Sequence, residues 1–270
     1  MNVGLAEVPE SARGLSLERP HSIRTESFFT LIREQRCMGA DHGTLEALLA
    51  GNERHVESLP EDYFSDVQAG QHPDVVAVCC SDSRVPQERM WGVEDPGTVF
   101  TPSNIGNQVW DDDDGERIVD GGVLYPIHHA GTDAAAVVGH TGCGAVTAAY
   151  QVATGADLPG PAGVDKWVDL LVPVVEDGLE SDLIDPAADE ETVINQLVEY
   201  NVDYQARFLR ESDVVPDDVS VYGFVYDFQG VYGNEYGRAY LVNVDGETNP
   251  DAIADLIPDQ YETATDSLLY

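Results

Sequence analysis

The chain has 270 residues, 43% of them hydrophobic, so it can bury a substantial core as one large domain or as one domain with extensions. Fifty acidic residues against 13 basic ones give a formal net charge of −37, which argues against nucleic acid as a partner because phosphates would be repelled. No segment approaches the roughly 18 consecutive apolar residues of a membrane span, and residues 1–20 lack a signal-peptide pattern, so we expect a cytoplasmic protein that does not bind membranes.

The acidic residues are spread along the whole chain rather than gathered in a tail, and Lys166 is the single lysine. Such a charge opposes folding by self-repulsion at low salt. At molar salt the Debye length falls to about 3 Å, and the repulsion is screened. The composition therefore predicts a halophilic protein.

The predicted elements alternate between strands and helices after an N-terminal helical extension over residues 1–40. In chain order they are a helix at 44–50, a strand at 74–80, a weaker strand at 97–100, an acidic solvated loop at 111–114, a helix at 121–130, a strand at 132–139, a helix at 144–153, an acidic stretch at 158–189, a helix at 190–211, and strands at 219–228 and 238–244. This order predicts an α/β fold with a mostly parallel central sheet flanked by helices. We expect one domain over 41–250 and an acidic tail over 251–270.

Two cysteines and a histidine stand where predicted strands end. Cys80 closes the strand at 74–80, His140 follows the strand at 132–139, and Cys143 begins the next helix. Ligands bind at the carboxyl edge of open parallel sheets, so we expect the three side chains to converge. Two thiolates and one imidazole form a zinc set whose fourth position stays free for water, as is typical of a catalytic site. The alternative is a structural zinc site or a set of ordinary core residues.

Asp82 and Arg84 follow Cys80 closely. Zinc lowers the pKa of a bound water toward about 7 and so generates hydroxide at neutral pH. Asp82 can accept a hydrogen bond from that hydroxide, while Arg84 holds the carboxylate through a bidentate pair. If the pair opens, Asp82 can itself become the fourth zinc ligand. The alternative is an ion pair that only braces a loop.

The segments around these residues read Cys80-Ser81-Asp82-Ser83-Arg84-Val85-Pro86 and His140-Thr141-Gly142-Cys143-Gly144-Ala145-Val146. Both resemble the signature segments of the beta-class carbonic anhydrases, and a looser match extends from about residue 44 to 247. The resemblance implies reversible hydration of carbon dioxide to bicarbonate and a proton, with one zinc ion per subunit held by Cys80, His140 and Cys143. It also implies that Asp82 and Arg84 form the catalytic dyad.

The resemblance further implies a substrate pocket and an assembly. In the plant-like branch of the family a Gln, a Phe and a Tyr line the pocket near the subunit interface, and they correspond to Gln71, Phe100 and Tyr125. The amide of Gly144 adds a donor near the zinc-bound oxygen. A homodimer or a higher homo-oligomer is implied, with N-terminal helices wrapping a partner.

Two departures from the family bear on the state of the site. A second branch closes its site through a Trp three residues before the first zinc cysteine and an Arg before the Asn-x-x-Asn segment, whereas this chain has Ala77 and Ser103 there. We therefore expect the open form, with Asp82 bound to Arg84. Two other functions stay open from sequence: hydrolysis of a related heterocumulene such as carbonyl sulfide or carbon disulfide, and a non-catalytic zinc-binding role.

Overall fold

The computed structural model describes residues 42–233 and 235–270. The predicted extension over residues 1–40, with Cys37, lies outside the described residues. The chain divides after Glu61 into two compact units. In the first, helix α1 (His42–Ser58) contains the helix predicted at 44–50. The second begins at Asp62 and carries all the elements that follow.

A mostly parallel sheet forms the centre of the second unit. Its strands are β1 (Val75–Cys80), β2 (Val99–Phe100), β3 (Ser103–Asn104), β6 (Ala134–His140), β7 (Ser220–Asp227) and β8 (Arg238–Val244). Their order is β2-β1-β6-β7-β8, with β3 also paired to β1. Every pairing is parallel except the one between β7 and β8, which is antiparallel. The α/β fold with a mostly parallel sheet is confirmed.

The two central strands end at the same edge of the sheet. β1 and β6 consist of small and β-branched residues that are buried on both faces, as expected for strands covered by helices. Their register pairs Cys79 with Val138. Cys80 and His140, which close the two strands, therefore lie side by side at the carboxyl edge.

The predicted acidic loop at 111–114 is wrong, because these residues belong to a hairpin. Strands β4 (Trp110–Asp113) and β5 (Glu116–Val119) pair antiparallel. Asp114 and Gly115 connect them with φ values of 52° and 89°, the positive angles that a two-residue type I′ turn requires. Trp110 and Val119 are buried, so the hairpin is fixed to the core at its base.

Helices cover the sheet. They are α2 (Gly121–His129), α3 (Gly144–Ala153), α4 (Ala162–Glu180), α5 (Glu190–Arg210) and the short α6 (Pro250–Ala254), with 3-10 turns at Arg89–Trp91 and Asp259–Ala264. Helix α4 lies inside the stretch at 158–189 for which no helix was predicted. It contains Pro173, yet it buries Leu171, Val174 and Val175 on one face. Across the described residues, every helix is too short or too polar to cross a membrane.

Helix α5 supports several loops through polar side chains on its buried face. Three of these side chains accept hydrogen bonds from distant backbone amides: Asn195 from Gly142 at 2.8 Å, Gln205 from Val109 at 2.9 Å and Glu199 from Leu268 at 2.8 Å. Glu199 also accepts hydrogen bonds from the hydroxyls of Tyr232 and Ser267. Buried polar groups are stable when they are hydrogen-bonded in this way. The helix thereby fixes the loop that follows β6.

Candidate metal centre

Cys80, His140 and Cys143 form a buried cluster at the carboxyl edge of the sheet. Cys80 is the last residue of β1, His140 the last of β6, and Cys143 the N-cap of α3. One ligand atom from each lies within 4.8 Å of the others. The two Sγ atoms are 3.9 Å apart. Two sulfurs bound tetrahedrally to one zinc ion at about 2.3 Å would stand about 3.8 Å apart, so the thiol spacing fits zinc.

His140 presents a ring nitrogen to the cluster. Its Nδ1 lies 3.0 Å from the carbonyl oxygen of Thr141. Because a carbonyl can only accept, Nδ1 carries the proton of the neutral ring and Nε2 carries the lone pair. Nε2 is fully buried and has no hydrogen-bond partner within the described part of the chain. A buried nitrogen without a partner is costly, and a metal ion held with the two sulfurs would satisfy it.

The two thiols share a proton. The hydrogen bond from Cys143 lowers the pKa of Cys80 to about 5. The same hydrogen bond, together with burial, raises the pKa of Cys143 well above its ordinary value. The hydrogen bond thus favours ionisation of Cys80 and protonation of Cys143, and a divalent cation that displaces this proton would make both sulfurs thiolates.

Asp82 and Arg84 form a bidentate pair beside the cluster. Arg84 Nε donates to Asp82 Oδ1 at 2.9 Å, and Nη2 donates to Oδ2 at 2.7 Å. The backbone amide of Arg84 also donates to Oδ1 at 2.9 Å. These hydrogen bonds lower the pKa of Asp82 to about 2, so the carboxylate is ionised at neutral pH. Asp82 Oδ2 lies 3.7 Å from His140 Nε2, at the border of the ligand cluster.

Two further residues that sequence reasoning missed hold the ligand loop. The buried carboxylate of Asp227 accepts from the Thr141 hydroxyl at 3.1 Å and from the amide of Gln229 at 2.9 Å. Asn195 accepts from the amide of Gly142. Asp227 is the last residue of β7, so the strand-end pattern that indicated Cys80 and His140 could have found it. Asn195 lies on a helix far along the chain, and nothing in its sequence context marked it.

The predicted pocket residues lie away from the ligand cluster within one chain. Phe100 pairs with Val76, four residues before Cys80 and thus about 13 Å away along β1. Tyr125 accompanies Phe100, with ring centroids 6.2 Å apart, and is half exposed. Gln71 is exposed and precedes β1. Gly144 alone of the four adjoins a ligand, as the first residue of α3 directly after Cys143.

Fold and site together define a class of protein: a mixed α/β protein with a Cys-His-Cys cluster that could hold a metal ion at the carboxyl edge of a mostly parallel sheet. A family model described as carbonic anhydrase matches residues 75–231, more than half of the chain. A carbonic anhydrase from Emericella nidulans is 30% identical over 196 residues, which cover 72% of this chain and 79% of that protein.

Solved structures agree with the family match. A β-carbonic anhydrase from Sordaria macrospora is similar with a TM-score of 0.55 and 25% identity, over 69% of this chain and 91% of the other. A β-carbonic anhydrase from Coccomyxa has a TM-score of 0.60 at 23% identity, over 80% and 92%, and supports the fold. The chain belongs to the carbonic anhydrase family, in its beta class.

Proposed function

We propose that this protein catalyses the reversible hydration of carbon dioxide to bicarbonate and a proton, with zinc held by Cys80, His140 and Cys143. The observation that carries the proposal is the position of Asp82. Its carboxylate lies 3.7 Å from the unpartnered ring nitrogen of His140, so a charged hydrogen-bond acceptor borders the open side of the ligand set.

Asp82, Arg84 and Gly144 have separate roles in the proposed reaction. When bound, zinc supplies the Lewis acidity that lowers the pKa of a coordinated water toward about 7. Asp82 accepts a hydrogen bond from the reacting water and directs its lone pair at the carbon of the substrate. Arg84 keeps Asp82 ionised and oriented through its two-point contact. The amide of Gly144, at the N-terminus of α3, donates to the developing negative charge.

A homo-oligomer follows from the placement of the pocket residues. Phe100 and Tyr125 lie about a strand length from the cluster of their own chain, so they can line a site only if a second copy brings them there. The related Sordaria macrospora enzymes are described as tetrameric. We propose at least a dimer, with Gln71, Phe100 and Tyr125 near the subunit interface.

The charge of −37 supports a further proposal about the environment. Salt at molar concentration screens repulsion between surface carboxylates, so the protein is suited to a halophilic cytoplasm.

The test pairs metal analysis with a rate measurement. In high salt, we expect one zinc ion per chain and stopped-flow hydration of carbon dioxide that chelation abolishes and added zinc restores. Zinc-loaded protein that is inactive at several pH values would contradict the proposal. Carbonyl sulfide and carbon disulfide are assayed in parallel, and faster turnover of either would reassign the substrate to that heterocumulene.

A further inference from the structure

Phe228 touches both halves of the site. Its ring packs against the imidazole of His140, with centroids 5.7 Å apart and planes inclined by 26°. The guanidinium carbon of Arg84 lies 4.5 Å from the centre of the same ring. One aromatic side chain therefore connects a candidate metal ligand with the arginine of the dyad.

The contact with Phe228 helps to fix the position of Arg84. Half of its side chain is exposed (51%), and exposed ion pairs contribute little by themselves because water competes for both partners. Besides Asp82, the described contacts of the guanidinium are a 3.4 Å hydrogen bond to the Gly142 carbonyl and the Phe228 ring. A cation over an aromatic face is attracted by the ring quadrupole, so Phe228 limits where the guanidinium can move.

The restraint on Arg84 matters because Arg84 binds Asp82, which lies next to the ligand cluster. Asp82 Oδ2 lies 2.7 Å from Arg84 Nη2 and 3.7 Å from His140 Nε2. With a metal ion bound in the cluster, the carboxylate would have two competing cationic partners, the guanidinium and the ion. If it turned from Arg84 to the ion, it would take the coordination position that the reacting water needs.

We infer that Phe228 is a positioning residue that keeps the fourth coordination position of the metal open. Its ring holds Arg84 in place, and Arg84 in turn holds Asp82 away from the metal. The inference rests on the proposed function for its catalytic meaning. Its structural content, which side chain occupies the fourth metal position, can be measured without turnover.

The test uses the cobalt-substituted full chain and azide as a probe of the open vertex, followed by visible absorption. We expect azide to bind the unmodified protein. Phe228→Leu and Phe228→Met, which remove the ring, should weaken azide binding at least tenfold because Asp82 then competes for the metal. Phe228→Tyr keeps the ring and should stay within twofold of the unmodified protein.

Two controls separate this effect from a general loss of packing. Phe224→Leu removes a half-buried ring that packs on Trp91 at 4.9 Å, in the cluster of Cys79 and Val138 rather than the one that contains Cys80 and Cys143, and should leave azide binding within twofold. The double variant Phe228→Leu with Asp82→Asn should regain azide affinity, since the amide competes poorly for the metal.

Azide affinity within twofold of the unmodified protein in both ring-removed variants would overturn the inference. So would an unmodified cobalt protein that binds no azide and has four protein donors, because Phe228 would then be in place without keeping the vertex open. A cobalt protein that follows the expected azide pattern, while the zinc protein fails to hydrate carbon dioxide, would overturn the proposed function alone.

Discussion

Asp82 uses both carboxylate oxygens to bind Arg84, and one of them lies 3.7 Å from the ring nitrogen of His140. The carboxylate of this pair therefore lies next to the ligand cluster, while Arg84 is half exposed.

Asp82→Asn should lower kcat/KM for carbon dioxide by about 100- to 1,000-fold, because the amide loses the charge that accepts the proton of the reacting water. Arg84→Lys should cost less, since the charge remains but the two-point contact is lost. Stopped-flow rates in high salt check both. Asp213→Asn, at an exposed acid remote from the ligands in sequence, is the control and should not change the rate.

Loss of one sulfur ligand should abolish zinc binding. Cys80→Ser and Cys143→Ser each remove a soft donor from a three-residue set, so we expect less than about a tenth of the zinc to remain after dialysis. Cys79→Ala is the matched control. Cys79 is also buried, but its side chain packs with Ala77, Ala136 and Val138 on the other face of the sheet. Full zinc occupancy in the Cys80 or Cys143 variant would show that the ligand set is wrong.

The ligand cluster was predictable because strand ends are easy to recognise. Continuous apolar runs ended at Cys80 and beside His140, and parallel strands bring their carboxyl ends to one edge. The role of Phe228 was not predictable in this way. It depends on a ring that contacts both His140, at the end of β6, and Arg84, in the turn after β1. The register of β6 with β7, which sets His140 opposite Tyr226, brings Phe228 to this place.

The errors in the fold have local causes. At the β4–β5 hairpin, the run of aspartates suggested a solvated loop and masked the Asp114-Gly115 turn signal. In α4, Pro173 and the surrounding acids suggested irregular structure, although the burial of Leu171, Val174 and Val175 outweighs the hydrogen bond that proline removes. In both segments, tertiary packing rather than the local sequence pattern determined the secondary structure.

Stability should rise with salt. With a charge of −37, we expect the melting temperature to increase by about 10 °C or more between 0.1 M and 3 M potassium chloride, because screening removes self-repulsion from the folded state. Calorimetry or circular dichroism at fixed pH measures this. A melting temperature that does not change over this range would remove the proposal of halophily.

Asp203 should make stability depend on pH. Burial, followed by the charge of Glu199, raises its pKa from the ordinary 3.8 to about 8. One oxygen, Oδ2, is sealed from solvent and has no hydrogen-bond partner in the described residues. The unfolded chain releases this proton near pH 4 and the folded chain near pH 8, so the free energy of unfolding should fall as pH rises between these values.

Asp203→Asn removes that titration and should stabilise the protein by up to about 5 kcal/mol at pH 8, with a smaller gain in the free energy of unfolding at pH 5. Urea unfolding at constant high salt measures the difference. Glu176→Gln removes one negative charge from an exposed site and controls for general charge repulsion. An equal gain from both variants at pH 8 would show that burial of Asp203 is not the cause.

The buried polar face of α5 has a consequence for how the molecule opens. The amides of Gly142, Val109 and Leu268 belong to three separate loops, yet each donates to a side chain on this one helix. Undocking of α5 would expose all three at once. Their hydrogen exchange should therefore proceed in a single cooperative event, so the ligand loop cannot loosen by this route without the C-terminal residues loosening with it.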